Sequence, residues 1–249
     1  MNRVCVMSCV MSCVMSCVMS FAAVLFGADA CCATANNVLT EQEKRDGWQL
    51  LWNGQNGEGW RSVKQDCFPS TGWEIADGIL TVLPKTAGGG AGDIITKETY
   101  SDFILKADFR LTDAANSGIK YFFDPQVNGG TTLEYQVLDG KHPDAAKGRN
   151  GNRKVGSFYD VMPAIGAHPK PGGEWNTAMI VSKGKKVEHW LNGEKVVSFE
   201  RGSEAFRAAV ALSKFNKFPN WGEQASGHIL LQDHNDRVSY RNLKIKVLK

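Results

Sequence analysis

Once residues 1–30 are set aside, the 249-residue chain predicts an all-β fold: a two-sheet antiparallel jelly-roll sandwich with one short helix. Three observations carry this. About a dozen short segments alternate apolar and polar residues, the period of a half-buried strand. Two strong hairpin dipeptides, Asp77-Gly78 and Asn192-Gly193, join such segments. In the body of the chain only Ser203 to Lys214 has helical spacing, and no strand-helix-strand alternation calls for a parallel sheet.

Taken in order, Arg3 precedes an uncharged apolar run from Val4 to Phe26, followed by Gly27, Ala28 and Ala30. This is the pattern of a signal peptide or lipoprotein signal over residues 1–30, which marks the domain as exported. The run is also long enough for an uncleaved anchor, and Cys31 or Cys32 would carry the lipid of a membrane-anchored lipoprotein. Four of the seven cysteines fall in a Val-Met-Ser-Cys repeat inside the run, which leaves too few for a disulfide framework. Nothing beside Cys67 would activate it as a nucleophile, so it reads as a buried or unpaired thiol.

Residues 31–46 form a linker, in which Thr40 and Glu43 have the spacing of a capping box for a short helix sealing the domain edge. The domain proper is 47–249. It opens with the aromatic-rich 48–52 and 57–60, then the hairpin of 73–76 and 79–82. The glycines at 88–90 and 92 precede neither a Lys-Ser or Lys-Thr pair nor a helix, so no nucleotide cofactor is expected. Residues 102–111 alternate strictly, with Phe103, Leu105, Ala107, Phe109 and Leu111 on one face. Asn116-Ser117-Gly118 reads as a turn into a strand at 119–123, and 134–139 as the next strand, broken by Gly140. A polar loop covers 142–154, and a short β-like stretch follows at 156–160. Pro163, Pro169 and Pro171 then forbid a helix or central strand. A meander at 175–181, 186–191 and 195–199, the helix capped by Ser203 with Phe206, Val210 and Leu212 on one side, and closing strands at 227–234 and 237–248 complete the chain.

The chemistry concentrates in Glu134-Tyr-Gln-Val-Leu-Asp139-Gly-Lys-His142. Alternation puts Glu134, Gln136 and Leu138 on one face and Tyr135, Val137 and Asp139 on the other. In the closing strand His228, Leu230, Gln232 and His234 share a face. A carboxylate and amides on a sheet face are costly to bury without partners, so they point to a polar cleft. From Glu134 the same-face positions are Gln136 and Leu138, so this strand lacks the second carboxylate of a standard retaining glycosidase. Net charge is +3 with acids and bases interspersed; no basic stripe argues for nucleic acid, and a small neutral ligand fits better.

The ordered motifs Glu134-Tyr-Gln-Val-Leu-Asp139, Gly173-Glu-Trp-Asn176, His189-Trp-Leu-Asn-Gly193, Gly227-His-Ile-Leu-Leu-Gln-Asp-His234 and Val238-Ser-Tyr-Arg-Asn-Leu243 resemble the 3-keto-disaccharide hydrolase domain family, whose members are provisionally called glycosyl hydrolases. The likeness runs from about Gly47 to the C-terminus. It implies a concanavalin A-like lectin/glucanase sandwich, export to the periplasm or outer membrane of a bacterium, and action on glycosides oxidised to a ketone at C3. Such a ketone acidifies the C2 proton, so a base and a group that stabilises an enolate suffice to expel the C1 aglycone, and water then adds.

On that reading Glu134, His142 and His234 are candidate catalytic residues, and Gln136, Tyr159, Lys214 and Gln232 would bind substrate. Asp139, His142 and His234 offer ligands to a divalent metal ion. Blander roles stand beside these. Asp139 caps the turn at Gly140, Arg241 makes a structural ion pair, Trp175 and Asn176 pack, and Trp190 belongs to the core. The alternative function is a non-catalytic carbohydrate-binding module of the same fold. No sequence signal speaks to oligomeric state.

Overall fold

The computed structural model describes residues 35–249; the stretch expected to be a signal sequence, with Cys31 and Cys32, lies outside them. The described chain runs α1 (Glu41–Arg45), β1 (Trp48–Leu50), β2 (Trp60–Ser62), β3 (Trp73–Ala76), β4 (Ile79–Val82), β5 (Ile94–Thr96), β6 (Phe103–Leu111), β7 (Asn116–Phe123) and β8 (Leu133–Leu138). It continues through β9 (Trp175–Lys183), β10 (Lys186–Leu191), β11 (Glu194–Glu200), α2 (Glu204–Ala211), β12 (His228–Leu231) and β13 (Val238–Val247). The strands form two antiparallel sheets. One has the order β11-β10-β9-β6-β13-β4-β3, with β1 also on β13; the other is β2-β5-β12-β7-β8. This is the two-sheet sandwich expected.

Local chemistry explains the elements. Along β6 every second residue is buried from Phe103 to Leu111, because one face meets the other sheet and the other meets solvent. Asp77 and Gly78, like Asn192 and Gly193, all have positive φ, as a two-residue turn between right-twisted strands requires. Thr40 and Glu43 form the reciprocal capping box of α1. Glu43 is paired with Lys244 at 2.8 Å, and Asn37 exchanges hydrogen bonds with Asn242, which ties this N-terminal segment to β13. In α2 the Ser203 hydroxyl accepts the Phe206 N–H at 3.1 Å, and Phe206 and Val210 are buried. Leu212 is instead 67% exposed, since the helix has ended before it.

The core fills the space between the sheets with Trp60, Phe103, Phe109, Tyr121, Tyr135 and Tyr240 among others. Each large side chain so buried contributes about 1.5–3 kcal/mol. His189 is part of this core. It is fully buried, with Nε2 2.8 Å from the Tyr121 hydroxyl across the sandwich and Nδ1 3.1 Å from the Gly156 carbonyl. Burial holds its pKa down at about 4.

Several expectations are corrected. Trp190 lies outside the core, on the outer face of β10, where its indole N–H donates to Glu188 and Lys195 sits over the ring. Residues 116–118 are the start of β7 rather than a turn. Residues 156–160 form no regular strand; they run along the open edge of β8, the Gly156 N–H donating to the Gln136 carbonyl and the Tyr159 N–H to that of Glu134. Of the two expectations for Cys67 the unpaired thiol holds among the described residues, and it is exposed rather than buried. The Asp108–Arg241 pair forms at 3.4 Å, and Arg241 and Arg110 stack on Trp175, as the packing roles of those residues predict.

Candidate functional site

Register places the site. In the five-stranded sheet Glu134 lies opposite Lys120, and Gln136 opposite Gly118; Lys120 in turn faces Leu230, and Leu230 faces Ile95. Directly opposed residues share a sheet face. Glu134, Gln136, Lys120, Gly118 and Asn116 therefore stand together on the outer face, opposite the core-facing Tyr135 and Val137. The loop after β8 and the segment after α2 fold over this face. The result is a cavity of about 160 Å³ bordered by Glu134, Gln136, Tyr159, Lys214, Gln232 and His234 among others. The structure thus brings together the predicted base and all four predicted substrate-binding residues.

Glu134 is the chemical centre. It is 6% exposed, and its carboxylate has no hydrogen-bond donor among the described residues. Burial pushes its pKa up, and the nearby Lys120 and Lys214 only partly offset this. Lys120 is held 3.8 Å from Asp93, whose own carboxyl is also pushed up by burial. The Lys214 ammonium donates to the Tyr159 hydroxyl at 3.1 Å and lies over that ring; burial lowers its pKa, while Glu134 pulls the other way. The Tyr159 phenol is pushed up to about 12 by burial, with the charge of Glu134 adding to the effect. A weak base beside two ammonium groups and a phenolic O–H can take a proton and stabilise the anion that results.

The frame around these groups is polar and braced. Asp160 accepts the Arg153 guanidinium N–H at 2.6 Å and the Lys214 backbone N–H at 2.8 Å, tying the two covering segments together. The Gln136 amide N–H donates to Asn116 at 3.2 Å, but its carbonyl oxygen is buried without a partner. A ligand hydroxyl donating to it would satisfy the group. Gly118 gives the Glu134 carboxyl its room. A Cβ built there would lie 2.9 Å from Glu134 Cδ and 3.0 Å from Cγ.

At the cavity's edge His234 meets His142 edge to face, their ring centres 5.8 Å apart. Both face one carboxylate, with Asp236 Oδ2 4.0 Å from His142 Nε2 and 3.8 Å from His234 Nδ1. These three are the residues whose spacing suits a metal ion among the described residues. Asp139, the expected third ligand, is not with them. Its carboxylate accepts the Lys141 N–H at 2.8 Å and so caps the turn at Gly140, on the opposite face of the strand from Glu134. His228 shares the face of Leu230, as expected, but lies at the far end of β12, opposite Phe123 and against the Glu98 carbonyl; the extra residue of the irregularity is on β7. Leu230 is buried against Ile95 and Phe123.

A much larger cavity, about 990 Å³, opens at one end of the sandwich. Size alone would make it the default site. Its walls lack a buried unpartnered carboxylate, whereas the smaller cavity has one in Glu134. Gly118, Lys120, Asn116, Asp93 and Asp236 escaped the sequence reading. The first three sit at alternate positions of β7, a signal present in the sequence that gains meaning only once β7 is known to pair with β8.

Comparison with known proteins identifies the family and supports the fold. The chain is 33% identical over 231 residues to a 3-keto-disaccharide hydrolase of Bacteroides thetaiotaomicron, a match spanning 82% of this chain and 79% of that one. A solved structure from Parabacteroides distasonis, provisionally named a glycosyl hydrolase, superposes with a TM-score of 0.76 at 34% identity, covering 86% of this chain and all of that one. A second structure from the same species, with the same provisional name, gives a TM-score of 0.60 at 25% identity, covering 81% of this chain and 99% of the other. The family model that matches spans residues 47–246, nearly the whole sandwich, and the chain belongs to the family it describes, that of the 3-keto-alpha-glucoside-1,2-lyase-like domain.

Proposed function

We propose that the protein is an exported enzyme that cleaves the glycosidic bond of 3-keto-glycosides by removing the C2 proton and eliminating the C1 aglycone, with hydration completing a net hydrolysis. The observation that carries this reading is Glu134: a buried carboxylate without a donor among the described residues, in a cavity whose border there holds no second carboxylate. A retaining or inverting glycosidase needs two. Proton abstraction needs such a base, whereas a binding module does not. The named relative from Bacteroides thetaiotaomicron supports the substrate class, and the uncharged apolar run before Gly27 supports export.

In this mechanism Glu134 takes the C2 proton, and the electron pair moves into the C3 carbonyl to give an enolate. Tyr159 and Lys214, with Lys120 behind them, supply the O–H and N–H donors that stabilise the oxyanion. The enolate re-forms the ketone as the C1–O bond breaks, leaving a C1=C2 double bond. The departing oxygen takes a proton from water at the cavity's edge. The hydroxide so formed then adds to C1 while Glu134 returns its proton to C2. Gln136 and Gln232 hold sugar hydroxyls.

A divalent ion is part of the proposal, held by His142, His234 and Asp236 rather than by Asp139. Two imidazoles and a carboxylate are a donor set that such ions accept. When bound, the ion would polarise the ketone oxygen. His142 must adjust to hold it: its Nδ1 accepts the Asp144 N–H at 3.1 Å, so the neutral ring carries its proton on Nε2, the atom that faces Asp236. Incubation of purified protein with a 3-keto-glucoside, with the plain glucoside as control, tests the whole reading. Cleavage of the keto-glucoside, lost in Glu134→Gln, is expected; activity on the plain glucoside alone overturns it.

A further inference from the structure

We propose that the cavity of about 990 Å³ at the end of the sandwich is a second binding site, for a small aromatic anion: an apolar ring system carrying one carboxylate, sulfonate or phenolate. The proposal is independent of the chemistry assigned to Glu134. The volume is at the upper end of the range of small-molecule sites. The floor is the open end of the core, where Phe109 and Leu111 of β6 and Leu138 of β8 border it, and the roof is built of Val155, Ala164 and Ala167. Small side chains in the roof leave the space open. An apolar ligand would take these aliphatic walls out of water.

The charges choose the sign of the ligand. Three lysines and two aspartates line the cavity. Lys141 is paired with Asp113 at 2.5 Å, and Asp139 accepts the Lys141 backbone N–H but keeps its charge, so three lysines against two aspartates leave the lining at +1. Lys154 and Lys170 remain, neither with a carboxylate partner among the described residues. An aromatic body among the aliphatic and proline walls with an anionic group at these two ammonium groups satisfies both halves of the cavity.

The test uses 8-anilinonaphthalene-1-sulfonate, an apolar aromatic anion, titrated into the whole folded protein and followed by fluorescence. Saturable binding at one site per chain is expected, abolished in Ala167→Trp, weakened about tenfold or more when Lys154 and Lys170 are both changed to Glu, and unchanged in Glu134→Gln. Gly140→Leu is a second variant that adds bulk to the lining: Gly140 borders the cavity, a Cβ there meets nothing within 4 Å and its backbone is not left-handed, so the fold tolerates it even where Ala167→Trp fails to fold. Absent or non-saturable binding overturns the proposal. So does binding that survives a filling variant whose circular dichroism and Tm match the wild type.

Discussion

Gly118→Ala tests whether catalysis depends on the placement of one carboxylate. Gly118 lies in β7 with a backbone conformation open to any residue, so alanine adds only a methyl group. That methyl would come within 2.9 Å of Glu134 Cδ and 3.0 Å of Cγ, and closer still to Oε1. Carbon atoms pack comfortably at about 3.5–4.0 Å, so the carboxylate must retreat by about 1 Å. A displacement of about 1 Å in a reacting group costs about a hundredfold in rate. Stability changes far less. Overpacking costs about 1–3 kcal/mol, against about 0.4–1 kcal/mol gained by restricting the unfolded chain. Steady-state kinetics on a 3-keto-glucoside should therefore show kcat down about a hundredfold with KM little changed, while the thermal transition moves by only a few degrees. A kcat within about threefold of wild type in a folded variant would refute the placement of the base.

The remaining predictions follow from titration and ligation. Glu134→Gln should lower kcat by about 10²–10⁴-fold and yet raise Tm at neutral pH. The folded-state pKa is raised, so the folded protein holds a proton that the unfolded chain releases, and wild-type stability falls as pH rises above the ordinary value of 4.5; a wild-type minus variant difference in Tm that does not change with pH would contradict this. The rate should likewise rise with pH through the raised pKa of Glu134. His189 gives the opposite slope. Its pKa falls from 6.5 to about 4 on folding, so about 3 kcal/mol of stability is lost as pH drops through that window. Denaturant titrations of His189→Gln should show that loss abolished. Chelation and dialysis should reduce activity, and added divalent ions restore it; Asp236→Asn should weaken the restoration while Asp139→Asn does not. An unchanged rate after chelation removes the metal from the mechanism and leaves the oxyanion to Tyr159 and Lys214.

Much of the fold was legible because its signals are local. The alternation of β6, the left-handed turn residues at Asp77-Gly78 and Asn192-Gly193 and the caps at Thr40 and Ser203 each depend on a few neighbouring residues. Misreadings occurred where a distant partner overrides the local pattern. Asn116-Ser117-Gly118 has turn composition, yet β8 pairs with all three residues and, on the other side, the Gln232 N–H just past β12 donates to the Gly118 carbonyl, which makes the segment strand. Residues 156–160 look like a strand and do follow an edge, but Pro163 and the demand to cover Glu134 bend the chain away before a ladder forms.

The candidate site divides along the same line. Glu134 and Gln136 were readable because a strand's period assigns faces without knowledge of the partner, and that same period already placed Asp139 on the wrong side for a ligand beside Glu134. Asp236 could not be read this way. It follows the end of β12, in a loop with no period, and is fixed by the Asn116 N–H donating to its carboxylate at 3.0 Å. That bond starts from the first residue of β7, the strand that also supplies Gly118 and Lys120. One strand therefore sets both halves of the site: its side-chain face makes room for the base and supplies a cation, and its first N–H orients the carboxylate shared by the two histidines. A substitution that shifts β7 along β8 by one residue would send Lys120 to the core face and separate the base from the histidine pair at once. The site depends on strand register as much as on the identity of any residue in it.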